Sequence, residues 1–458
     1  METEPKKWPQ FLVVTIATLA VFITGFHTGW PAPSLPKLLS DEYPFDVSNE
    51  EASYVTIVGS CGTFFGSFVG NIFLDTIGRQ KTILLIALPQ LLSFVGFSLS
   101  HLVMELLYVG RFMGGIGEGM SLAIVLLYIG EIAEPSVRGT LATFVSIALY
   151  LGVLAVNIIG SYLSIRDTAL VCIAFPIIFF LLFFKMPESP YYLIMKNQEA
   201  EAERALKFLL HKSDVSNELF ALKGDVKRQM SERGTFKDIF VIESNRRAFL
   251  VTVGARFFQV ATGVNSFNLY LQLLLKQATH ALDPHTSSTI VLLIQLVMTI
   301  LSMFIVDKWG RKPLLLASSG GCFLNLFLQT IFFGLKEHTA VNVEVADWFP
   351  LVMIFLHIFL YSLGLGVVVS VLTSEMFSAS IKSKLICLVN AFYALCTLFW
   401  TKYYQLTDDG YGLTVPFASF GFLTLLGVLF VWFLVIETKG KSLEQIQQEL
   451  KGERKSVV

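Results

Sequence analysis

The chain has 458 residues, of which 54% are apolar and only 15% charged, with a mean hydropathy of +0.65 and a formal net charge of −1. Soluble globular chains carry about 25% charged residues, so this composition excludes a soluble enzyme on a membrane anchor. The near-neutral balance gives no support for nucleic-acid binding.

The first residues carry Glu2, Glu4, Lys6 and Lys7 and lead into a long apolar run without a small-residue cleavage site. That run reads as a first membrane span, not a removed leader. Apolar stretches of spanning length, each about 20 residues, follow at 11–30, 51–74, 82–100, 108–130, 139–162 and 168–186. A polar insert comes next, then 248–273, 287–306, 313–335, 348–374, 383–404 and 413–436. The segments are too long for barrel strands and do not alternate. The fold class is therefore an all-α membrane protein of twelve transmembrane helices. Its expected parts are a six-helix half at 1–186, a helical linker at 187–247, a second six-helix half at 248–436, and a tail at 437–458.

The five cysteines, Cys61, Cys172, Cys322, Cys387 and Cys396, fall inside apolar stretches with no C-x-x-C spacing. They read as small apolar packers. If the amino terminus is cytoplasmic, all 34 Lys and Arg fall on the inside except Lys37, Arg111, Arg166, Arg256, Lys276, Lys336 and Lys402. That bias places both termini in the cytoplasm. Within the insert, 199–210 reads as a short amphipathic helix with a Glu203–Lys207 pair, and further helical turns are expected around Leu219, Leu222 and Val226.

Internal repetition is the most informative pattern. Asp75-x-x-Gly78-Arg79 after the second span recurs as Asp307-x-x-Gly310-Arg311-Lys312 after the eighth. Glu131 precedes Arg138 by seven residues, as Glu375 precedes Lys382. Pro187-Glu188-Ser-Pro190 closes the sixth span, and Ile436-Glu437-Thr-Lys-Gly closes the twelfth. A duplicated six-span unit with its binding site near the midplane fits this order. Glycine suits the tight turns. The carboxylates and guanidinium groups at span ends suit interfacial ion pairs that lock the two halves together on one side and break when the other closes.

These stretches, with Gly25-x₃-Gly29-Trp30, Arg111-x₃-Gly115-x-Gly117, Tyr128-Ile-Gly-Glu131-x₆-Arg138-Gly139 and Gln259-x₃-Gly263-x-Asn265, resemble the sugar porter family of the major facilitator superfamily over essentially the whole chain. The Pro-Glu-Ser-Pro-Tyr-Tyr-Leu run and the Gly-Trp turn of the first span resemble its arthropod facilitated trehalose transporter branch. The resemblance implies a substrate site from spans 1, 4, 5, 7, 8 and 10, with Gln259 and Asn265 as sugar-binding amides and Gln295 at the eighth-span contact. Neutral carboxamides, which donate and accept, can replace the hydration shell of an uncharged sugar. Gly263 can loosen the seventh helix between them. Asn268 and Gln272 extend the polar stripe and serve equally well as bonds between helices.

Several positions depart from the family pattern. Val260 and Ser146 replace glutamines, and Leu126 replaces a proline. The tenth span, Gly364-Leu-Gly366-Val-Val-Val-Ser370, lacks a proline hinge and places Ser370 at an aromatic position. Ile436 replaces a proline and Lys382 an arginine. Proton-driven members carry an aspartate after the first-span turn, where Pro31 stands here, so passive uniport is expected; His27 reads as a wall residue. Glu118 and Arg256 lie inside spans, where a lone charge is costly, and are candidates to meet across the cavity as a gate. The expected solute is a small neutral sugar, hexose or trehalose, crossing a plasma membrane through a monomer. No nucleophile–base pair, metal cluster or phosphate loop suggests an enzyme or a cofactor. Proton symport through Glu118 and non-transporting sugar sensing are the competing readings.

Overall fold

The computed structural model describes residues 7–231, 236–278, 281–339, 346–377, 382–441 and 443–450. Eleven of its helices are long and apolar enough to cross a membrane, and a twelfth crossing is assembled from shorter pieces. The first half contains Trp8–Gly29 continued by Pro31–Leu38, then Asn49–Thr76, Arg79–Leu99, Glu105–Ile132, Pro135–Tyr162 and Ile165–Phe183. The second half contains the assembled crossing, then Pro284–Trp309, Arg311–His338, Trp348–Leu363 continued by Leu365–Glu375, Lys382–Tyr411 and Thr414–Leu434.

Local chemistry sets the helix starts. The Ser48 hydroxyl accepts from the Glu51 N–H while the Glu51 carboxylate accepts from the Ser48 N–H, a reciprocal cap for span 2. Asp283 caps span 8 by accepting from the N–H groups of His285 and Thr286. Between spans 2 and 3, and again between spans 8 and 9, the chain reverses at Gly78 (φ +101°) and Gly310 (φ +95°). Side chains other than glycine rarely adopt such angles.

Small residues then let helices pack backbone to backbone. A Cβ on Gly62 would stand 2.2 Å from the Phe112 carbonyl, and one on Gly115 2.0 Å from the Gly59 carbonyl, so spans 2 and 4 tolerate nothing larger at these points. The halves meet where span 2 packs on span 11 and span 5 on span 8. Large apolar side chains such as Ile72, Phe304 and Phe433 face outward, as a lipid-facing surface requires.

Two crossings are interrupted, which positions the site. Span 7 runs as Glu243–Ala261, Val264–Leu269 and Leu271–Ala278, broken at Gly263, whose φ is +81°. The seventh apolar stretch is thus not one continuous helix. Span 10 breaks at Gly364 despite having no proline there. Ser318 of span 9 accounts for this: its hydroxyl donates to the Leu360 carbonyl (2.7 Å) and accepts the Leu365 N–H (3.1 Å). The neighbouring helix thereby satisfies backbone groups that the break frees.

Between the halves lie Pro190–Met195, Glu199–Leu210, Ser216–Ser231 and Phe236–Val241. The Glu203–Lys207 pair forms at 2.7 Å and Lys223 reaches Glu199 at 2.6 Å. Leu193, Ala202 and Ala205 make a small core against Leu219. The Trp8 ring contacts His211, and Arg247 donates to the Leu450 carbonyl of the tail helix Leu443–Leu450. The start of the first span, the linker and the tail helix therefore share one face.

Candidate functional site

On that face the repeated motifs build two equivalent charge clusters. Arg79 donates from Nε and Nη2 to the Glu131 carboxylate (2.9–3.1 Å) and from Nη1 to the Leu74 carbonyl. Ser189 donates to the same carboxylate. Glu188 accepts from the backbone N–H groups of Arg79 (3.0 Å) and Gln80 (3.1 Å), capping span 3. In the second half Arg311 reaches Glu375 at 2.7 Å and the Val306 carbonyl at 3.3 Å. Thr438 donates to Glu375, and Glu437 accepts from the N–H groups of Arg311 and Lys312. A carboxylate at a helix N-terminus also meets the positive end of the helix dipole.

The expected interlock between halves takes a different form here, because these pairs run within each half. The sixth span delivers Glu188 to the start of the third, and the twelfth delivers Glu437 to the start of the ninth, so each cluster closes on its own bundle. Arg138, in the first turn of span 5, donates to the Ala133 carbonyl (3.1 and 3.3 Å) and so caps the end of span 4. The side chains of Asp75, Asp307 and Lys382 lie outside the described residues. Burial pushes the Glu188 carboxyl above its ordinary value, against the N–H donors that pull it down. Burial also acts most strongly on Glu437, but the N–H groups of Lys439, Arg311 and Lys312 together hold its carboxyl below the ordinary range.

The amides lie between helices, not toward lipid. Gln259 is buried at the break in span 10, donating to the Leu365 carbonyl (2.6 Å) and accepting from Arg256 Nη1 (2.8 Å). Arg256 Nη2 donates to Ser370 (3.1 Å), which is solvent-exposed. Asn265 donates to the Tyr393 hydroxyl (2.8 Å) and to Thr397 (3.1 Å) of span 11. Gln295 is 1% exposed, and neither carboxamide atom has a hydrogen-bond partner within 3.5 Å; its longer-range neighbour is the Tyr150 hydroxyl of span 5. Tyr150, Tyr361 and Tyr393 lie within electrostatic reach of one another and of Arg256. Ser146 is half-buried one turn before Tyr150, and the Asn268 carboxamide oxygen is buried without a partner.

The tyrosines and Thr397 carry no sequence signature, because an aromatic residue in an apolar run reads as packing. The one signal was the hydroxyl itself, which needs a partner when buried.

Glu118 and Arg256 do not form the expected cross-cavity pair. Glu118 lies against Thr28 and within the field of Arg111. Among the described residues no carboxylate approaches Arg256 within 4 Å. Arg111 is buried and donates to the carbonyls of His27 (2.7 Å) and Val55 (3.1 Å), with its guanidinium over the Trp30 ring. The titratable first-span neighbour of Arg111 is thus His27, stacked on Phe94 and bonded to Ser93, whereas Pro31 opens the next short helix.

Toward the opposite face, polar bonds tie the halves together. Gln272 donates to Asn157 (3.1 Å) and Ser161 (3.0 Å), Asn157 donates to Ser288 (3.1 Å), and Tyr270 meets Thr56 (3.2 Å). Lys402 donates to Ser53 at 2.7 Å. Gln272, the last residue of the polar stripe, is therefore part of a clasp between halves and stands apart from the central amides.

Twelve crossings in two repeated halves, two of them interrupted beside a buried polar centre, define a multi-pass membrane protein of the major facilitator fold. The chain belongs to the sugar (and other) transporter family, whose model matches residues 13–450. It is 29% identical over 451 residues to the facilitated trehalose transporter Tret1 of Drosophila willistoni, covering 97% of this chain and 51% of that protein. It is 28% identical over 452 residues to Tret1 of Aedes aegypti, covering 97% of this chain and 55% of that one. The chain thus spans about half the length of the curated relatives it matches. In fold it is similar to the xylose transporter XylE from E. coli in a partially occluded inward open conformation (TM-score 0.79, 21% identity, 95% of this chain and 99% of that one). It is similar also to the proton:xylose symporter XylE bound to 6-bromo-6-deoxy-D-glucose (TM-score 0.77, 22% identity, 96% and 99%).

Proposed function

We propose that the protein carries a neutral sugar, hexose or trehalose, across the plasma membrane by facilitated diffusion, with both termini in the cytoplasm. The observation that carries this reading is the meeting of Gln259, Asn265 and Gln295 with Tyr150, Tyr361 and Tyr393 between the halves. Carboxamides and phenols exchange hydrogen bonds with hydroxyls in either direction, so they replace a sugar's water at little cost. Gln259 bonds the backbone at the span 10 break, which links the amide that would hold solute to a segment able to bend. Alternating access then consists of opening the clasp at Asn157 and Gln272 while the face bearing the termini closes.

A second reading, proton symport, draws on Glu118 beside Arg111 and on His27. Uptake of labelled glucose and trehalose into proteoliposomes, with and without an imposed pH gradient, tests both. Uniport predicts equilibration at equal rates with and without the gradient. Accumulation driven by inward protons would establish symport, and absence of saturable uptake would reject both.

A further inference from the structure

The polar centre between the halves holds a positive charge that a neutral solute leaves unused. A guanidinium has five N–H donors; Arg256 spends one on Gln259 and one on Ser370, both neutral. Its Nε is buried with no partner, and the rings around it are tyrosines, with Tyr393 5.6 Å from the guanidinium carbon. The other mid-span charges balance each other: the Glu118 carboxylate lies in the field of Arg111, whose own donors are taken by backbone carbonyls. Among the described residues the remaining mid-span charge is Arg256, itself partly exposed and bonded to exposed Ser370. A cation drawn partly out of water without a counter-ion is expensive, and an arginine fork matches a carboxylate in shape as well as sign.

We propose that the site also takes monoanionic sugar acids, solutes with a sugar's hydroxyls and one carboxylate, with Arg256 as the group that selects the carboxylate. Hydroxyls fall to Asn265, Gln295 and the tyrosines, and the single negative charge neutralises the cavity; a phosphate dianion would overshoot it. This deepens the proposed sugar transport and rests on it.

The test uses the full-length protein in proteoliposomes, with labelled D-glucose and D-glucuronate measured in parallel under potassium–valinomycin potentials. Passive transport of a monoanion carries charge, so glucuronate should accumulate under an inside-positive potential, by roughly fiftyfold at equilibrium for 100 mV, while glucose distribution stays indifferent. Arg256→Gln should lower the ratio of glucuronate to glucose uptake tenfold or more, and Arg256→Lys, which keeps the charge, should hold that ratio within about threefold. Glucose entry with glucuronate neither entering nor competing overturns this inference and leaves sugar transport standing. Glucuronate entry without glucose supports it and removes the neutral-sugar reading; entry of neither overturns both. An unchanged ratio in Arg256→Gln removes Arg256 from the role.

Discussion

The two six-helix halves share a framework but divide the labour differently. Their charge clusters are alike: Arg79 with Glu131 and Glu188 matches Arg311 with Glu375 and Glu437, down to the hydroxyl from Ser189 or Thr438. Their centres are not alike. The second half supplies the central carboxamides, Arg256 and two crossings broken at non-helical glycines, whereas in the first half span 4 runs unbroken from Glu105 to Ile132 and span 1 passes into Pro31–Leu38 through Trp30, whose dihedrals stay helical. The equivalent ends maintain each bundle, and under the proposed function the unlike middles would place solute recognition and bending mainly in the second half.

The largest contrast should come from the buried pairs. In the first half, Arg79 and Glu131 are 5% and 11% exposed; in the second, Arg311 and Glu375 are 11% and 28%. Removing one partner of a buried pair costs roughly 3–5 kcal/mol. Arg79→Ala is expected near that range and Arg311→Ala clearly below it, read as the fall in apparent Tm in detergent. Equal falls would erase the distinction.

Recognition should be lopsided too. Losing a hydrogen-bonded carboxamide costs about 1–3 kcal/mol, so Asn265→Ala should raise the apparent KM for transported sugar about tenfold. Ser146→Ala in the first half should change it less than about twofold. Comparable effects would place recognition evenly across the halves.

The break in span 10 offers a finer test. Ser318→Ala removes the hydroxyl that holds the Leu360 carbonyl and the Leu365 N–H, and should lower stability by about 1–2 kcal/mol. Ser318→Thr, which keeps the hydroxyl, should recover most of the loss in the same thermal assay. Failure of that rescue would shift the cause from the hydroxyl to packing.

The smallest effect concerns pH. Glu437, held below its usual 4.5, contributes stability that is present above 4.5 and lost as pH falls through its lower folded value. Glu188, pushed above 4.5, binds its proton more readily folded than unfolded, so its contribution to stability declines as pH rises through that raised value. Amide exchange at Lys312, corrected for intrinsic pH dependence, should quicken below pH 4.5, while Gln80 should not quicken over the same interval. Parallel behaviour would mean the two caps titrate alike.

Much of this was legible in the chain. Hydropathy gave the number of crossings, and the duplicated Asp-x-x-Gly-Arg turns gave the two halves, because each depends on local composition. Gly263 flagged the interruption in span 7, since a left-handed backbone favours glycine. The interruption in span 10 was not legible: without a proline it depends on Ser318, 46 residues away. Tyr150, Tyr361, Tyr393 and Thr397 became candidates only when packing brought them beside Asn265, Gln295 and Arg256. The direction of the end-of-span pairs, within a half and not between halves, likewise depended on where the sixth and twelfth crossings deliver their carboxylates.

The joint between Gln272, Asn157 and Ser288 is made of uncharged groups. Mobile ions have no charge there to screen, and no proton between acid and neutral conditions alters its chemistry. Release of that joint is a matter of water competing for carboxamides, so it should proceed alike in dilute and in saline surroundings.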